Sequence, residues 1–110
     1  MLLRNAPAVG AQPSVVLIEW RVFAFGSAVM LAGVLENGRT LRVTTPVRTL
    51  QPASRTWTTS SGRIYHTPNP PASDERLRAV LYRFAQVHAG TCDVEDVTED
   101  FWRRIRGAAH

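Results

Sequence analysis

Among the 110 residues, the side-chain types that bind transition metals or form thiolate–imidazole pairs are His66, His88, Cys92 and His110. His88 and Cys92 stand four apart with Asp93 next, a spacing that would put imidazole and thiol on one face of a continuous helix. Gly90 falls between them and ends a helix more readily than it continues one. There is no second cysteine, and His66 and His110 are remote in sequence. We therefore assign no metal site, no cofactor and no catalytic cysteine, and expect Cys92 to be a small buried apolar side chain.

The other candidate chemistry is equally thin. Thr59-Ser60-Ser61-Gly62-Arg63 gathers hydroxyls beside a glycine and an arginine, but it has neither the GxSxG elbow nor the phosphate loop GxxxxGK[ST]. A tight turn needs such residues for conformation alone. No two carboxylates share a strand face as a general acid and base would. The segment Asp93 to Arg106 places acids before arginines, as a helix dipole prefers, with Glu99–Arg103 and Asp100–Arg104 at ion-pair spacing. No catalytic residue is assigned, and the chain reads as a non-enzyme.

Arginine is the residue type that remains. The chain has 13 Arg, no Lys and 9 acids, a net charge of +4 and a pI near 10.6. Residues 1–73 hold 7 Arg against 2 acids, whereas residues 74–110 hold 6 against 7. Guanidinium forks bind phosphates and carboxylates in two-pronged fashion, and an exposed ring stacks on a base. Arg42, Arg48, Arg63 and Tyr65 are the expected binding residues of the basic half. Trp102, with Arg103 and Arg106, is the expected anchor of the other, since Trp and Arg dominate binding hot spots.

These residues need elements to hold them. Val16, Ile18, Trp20 and Val22 alternate with Glu19 and Arg21, which predicts a strand from Ser14, followed by a second over Ala28 to Glu36. Asn37-Gly38 is the dipeptide of a type I′ turn. It pairs Val34 with Leu41 and Ala32 with Val43, and sends Arg42 to the opposite face. Pro46 and Pro52 bracket a connection. A second hairpin turning at Ser61-Gly62 sets Trp57 opposite His66 and Thr58 opposite Tyr65, which leaves Arg63 and Tyr65 facing outward.

Pro68-Asn69-Pro70-Pro71 is a stiff connector. Ser73 caps a helix whose buried stripe is Leu77, Val80, Leu81, Phe84, Val87 and His88 and which stops at Gly90. A short helix comes next, from about Thr98 to Arg106, with Val97, Phe101 and Ile105 on its apolar side. Strands first and helices after predict the α+β class. The expected architecture is an antiparallel meander of four or five strands, curled toward a partial barrel, with one long and one short C-terminal helix on one face.

Residues 1–13 read as a flexible N-terminal arm and 14–110 as a single domain. The lone cysteine excludes an intrachain disulfide and suits the cytoplasm. The start lacks the apolar core of a signal peptide. No uncharged stretch exceeds 14 residues, the length of Val22 to Leu35, short of the roughly 20 a membrane helix needs.

The expectation is a small non-enzymatic module whose Arg-rich sheet face engages an acidic macromolecule, a nucleic acid or nucleoprotein. The rival is an inhibitor or adaptor of the phage or mobile-element type acting on a host protein complex. Neither reading excludes a homodimer.

Overall fold

The computed structural model describes residues 2–3 and 6–108. Its strands are β1 (Leu2–Leu3), β2 (Ser14–Phe25), β3 (Ala28–Leu35), β4 (Thr40–Val43), β5 (Val47–Gln51), β6 (Thr56–Thr59), β7 (Ile64–His66) and β8 (Val94–Asp96). Helices α1 (Glu75–Ala89) and α2 (Thr98–Ala108) flank β8. The class is α+β. Seven strands follow one path, β1-β4-β3-β2-β7-β6-β5, and β8 pairs with β2 off that path. The pairing is antiparallel except at β1–β4 and β2–β7. The sheet is open, not a closed barrel, because its two end strands do not meet.

The first hairpin has the expected register: Ala32 faces Val43 and Val34 faces Leu41. The Asn37 side chain braces the turn by accepting from the Arg39 and Thr40 amides. Gly38 takes a φ of 73° but Asn37 does not take a positive φ, so the turn is not the expected type I′. The connection between Pro46 and Pro52 contains a strand that alternation alone does not reveal, since β5 (Val-Arg-Thr-Leu-Gln) is only partly buried.

β2 departs from simple alternation. Its register against β3 shifts between Leu17 and Glu19, so the buried face runs Val15, Leu17, Trp20, Val22 rather than Val16, Ile18, Trp20, Val22. One extra residue in a bulge moves every later side chain to the other face. Gly33 accommodates it, because a Cβ at position 33 would collide with the Glu19 carbonyl. The sheet centre is consequently apolar on both sides. Val15, Leu17, Trp20, Val22 and Leu31 pack with Trp57, Tyr65 and Ile105. Phe23, Met30, Ala32, Val34 and Leu41 pack with Ala72, Leu81 and Ala85.

The helices therefore serve different cores and do not share one face. α1 brings Leu81 and Ala85 to the second core, and α2 brings Ile105, with Phe101 and Trp102 beside it, to the first. α1 is capped by Asp74, not Ser73: its carboxylate accepts from the Leu77 amide at 2.9 Å. Gly90 ends it as expected, at φ 67°. Val80, Val87 and His88, expected in the buried stripe, are exposed, Val87 by 68%. The Pro-rich connector seals part of the edge of β2. Trp20 Nε1 donates to Asn69 O at 2.8 Å, Asn69 Nδ2 donates to Ile18 O, and the Ala72 amide donates to Trp20 O.

Candidate functional site

Arg42, Arg48, Arg63 and Tyr65 do not form an exposed basic face. Arg63 and Tyr65 are buried, at 3% and 2% exposure. The cause is the turn of the second hairpin. The Thr59 amide donates to Arg63 O, and Gly62 sits at φ 89°, so the loop holds three residues rather than two. Trp57 then faces Tyr65 instead of His66, and the slip by one residue swings Arg63 and Tyr65 inward.

Arg42 is buried to 4% for another reason. It lies on β4 opposite Gly33, and residue Gln12 covers it: Gln12 Oε1 accepts from Arg42 Nη1 at 3.1 Å. Arg48 is exposed on β5, without the neighbours expected for it. Cys92 is also a correction: it is exposed. Among the described residues no three His, Cys, Asp or Glu side chains gather as a metal ion would require, and His110 lies outside them.

Of the residues expected on the last helix, Trp102 and Arg106 meet while Arg103 turns to Asp100, and Arg55, which spacing did not suggest, joins the first two. Trp102 is half-buried and meets Trp20 edge to face, ring centroids 6.1 Å apart. Over its ring stand two guanidinium groups, Arg106 at 5.8 Å and Arg55 at 5.3 Å. Arg104 stands over Phe101 at 5.1 Å, and Phe101 in turn packs on Trp57 at 5.7 Å. Cation–π contacts of this kind hold an exposed guanidinium with about 0.5–1 kcal/mol each.

Arg55 is locked from several sides. Its φ of 53° lies in the left-handed region that non-glycine residues rarely adopt. The Thr67 amide holds its carbonyl at 3.1 Å, and its Nη1 donates to Pro68 O at 2.7 Å. A non-glycine residue held in this way is a recurrent mark of functional positions.

Charge pairing on α2 also differs from the spacing expectation. Glu99 turns to Arg21, 3.7 Å away, and Asp100 pairs with Arg103 at 3.7 Å. Neither i, i+4 pair forms. Arg55, Arg104 and Arg106 have no carboxylate within 4 Å among the described residues. The C-terminal half of α2 and the β5–β6 turn thus present aromatic rings interleaved with uncompensated guanidinium groups. The helix dipole, negative at this end, stabilises cations there.

Known proteins add no constraint: no family model matches the chain, and no curated protein or solved structure is similar to it. Among the described residues no helix is long and apolar enough to cross a membrane.

Proposed function

We propose that the protein is a non-enzymatic binding module that engages an acidic partner, a nucleic acid or nucleoprotein, through the α2 face rather than through the sheet. The observation that carries this reading is the cluster Arg55, Arg104 and Arg106 around Trp102 and Phe101, three guanidinium groups with no carboxylate within 4 Å among the described residues. Guanidinium forks fixed on aromatic rings keep donors available for phosphate oxygens while losing little side-chain entropy on binding. Arg103 adds a fourth charge at the rim, paired with exposed Asp100.

The test is binding of generic single-stranded and duplex nucleic acid by fluorescence anisotropy at several salt concentrations. The wild type binds with an affinity that falls as salt rises. The Arg55→Ala/Arg104→Ala/Arg106→Ala variant binds more weakly, and its log–log salt slope on duplex DNA drops by about 0.9 for each phosphate no longer neutralised. An affinity indifferent to salt, or a slope unchanged in the triple variant, overturns the reading.

A second reading, the protein–protein inhibitor or adaptor, is favoured by the outer face of α1. Arg76, Val80, Arg83 and Val87 follow i, i+4, i+7, i+11 along one exposed stripe. Val80 and Val87 are unusual apolar residues to leave in water at such spacing.

A further inference from the structure

Two of the three buried arginines, Arg42 in β4 and Arg63 just before β7, are chemically incomplete. Arg63 Nε donates to Gln12 O at 2.7 Å and its Nη2 to Pro7 O, while its Nη1 has no partner among the described residues. Arg42 Nη1 reaches only the neutral Gln12 amide, and Arg42 Nε is a fully buried donor with no partner at all among those residues. No carboxylate among the described residues lies within 4 Å of either guanidinium. Two cations thus meet at one glutamine, more than nine-tenths buried and served by neutral acceptors alone. Removing a charge from water costs several kcal/mol unless a counter-ion accompanies it.

A cavity of about 370 Å³ adjoins Arg63; Arg42 stands behind its lining, joined to Arg63 by Gln12. Arg63 and Tyr65 line the cavity with the hydroxyl residues Thr45 and Ser61, with His88 from α1 above. Ala6, Pro7, Ala8 and Val9 form an apolar wall on the other side. That volume lies within the range of small-molecule sites, and a mostly apolar lining with a few convergent polar groups is their usual make-up.

We propose that this cavity binds a small molecule that carries an oxyanion head, carboxylate or phosphate, on a short apolar body. The head pairs with Arg63, which lines the cavity, and Arg42 adds its charge through the shared residue Gln12. The apolar body lies against residues 6–9. This site is separate from the α2 face, and neither depends on the other.

The experiment titrates the full chain with benzoate and with inorganic phosphate at constant ionic strength, with chloride as control. The readout is the arginine Nε–Hε resonances, with affinity from calorimetry. The expected result is saturable one-site binding, Kd on the order of 1 mM or tighter, with the Arg63 and Arg42 signals shifting together. Benzoate alone identifies a carboxylate with an apolar body, phosphate alone identifies a phosphorylated ligand, and both support the shared oxyanion chemistry.

Arg63→Met loses binding at least tenfold. Gln12→Glu, which puts an internal carboxylate against Arg42 on the residue whose backbone carbonyl holds Arg63, does the same while remaining folded, so the result survives if Arg63→Met does not fold. Neither anion shifting the signals beyond chloride overturns the proposal. So does undiminished binding in Gln12→Glu. The α2 triple variant leaves binding unchanged; if it abolishes binding instead, the anion sits on the α2 face and the cavity proposal fails.

Discussion

Arg21 and the pair Arg42–Arg63 are equally buried, yet their surroundings are opposite. Arg21 Nε and Nη2 both meet Asp96 Oδ2, at 3.1 and 3.0 Å, Nη1 donates to Ala72 O at 3.0 Å, and Glu99 lies 3.7 Å away. The same Asp96 caps α2 with its other oxygen, accepting from the Thr98 amide and hydroxyl. Thr98 Oγ1 in turn accepts from the Val22 amide. Charge, cap and strand edge form one network. At Arg42 and Arg63 the acceptors are an amide side chain and two backbone carbonyls. The first arrangement is a finished structural device, and the second has positive charge in excess of its partners. Burial of an arginine is therefore no guide to its role; the set of acceptors around it is.

The sharpest way to break this comparison is Asp96→Ala. It leaves Arg21 buried beside exposed Glu99 and strips the cap from α2, so urea denaturation should show a loss of about 3–5 kcal/mol. A loss under about 1 kcal/mol would mean that Arg21 does not depend on its acid, and the contrast would collapse.

The next effect has the opposite sign. Gln12→Glu supplies Arg42 with a carboxylate, which it lacks among the described residues, and should stabilise the fold at neutral pH by about 1–3 kcal/mol. The gain fades on acidification as the new carboxyl is protonated. Denaturation midpoints at neutral and acid pH measure it, and an unchanged or lower midpoint at neutral pH would show that Arg42 needs no counter-ion.

Smallest is Arg103→Ala. Both members of the Arg103–Asp100 pair are more than 70% exposed, so the same denaturation assay should register no more than about 0.5 kcal/mol. A larger loss would mean that surface pairing on α2 carries stability as Arg21–Asp96 does.

Local chemistry in the sequence was enough for several elements. Asn37-Gly38 set its hairpin in register, Gly90 ended α1, and the dipolar run from Thr98 marked α2. Elements that depend on distant partners were not legible. β8 is three residues that become a strand only because β2 has an unfilled edge there, and β5 is extended because β6 lies beside it. Two irregularities, the bulge after Leu17 and the third loop residue before Arg63, each put a stretch of strand on the face opposite to the one alternation suggests: Val15 and Leu17 before the bulge, Arg63 and Tyr65 after the loop.

The site obeyed the same rule. Trp102 and Arg106 were visible as neighbours on one helix, whereas Arg55 reaches them from a turn 47 residues earlier in the sequence. Its left-handed backbone has no signature in composition. Nor did alternation warn that Arg42 would be roofed over by Gln12, because the roof comes from a segment without periodicity.

The lock between Val22 and Thr98 spans 76 residues, and β8 pairs with Phe23–Phe25 across a similar interval. During synthesis, the middle of the sheet is thus made long before the segment that completes its edge. Until that segment leaves the ribosome, an aromatic stretch of backbone has unsatisfied amides and carbonyls, the condition under which nascent chains associate with one another.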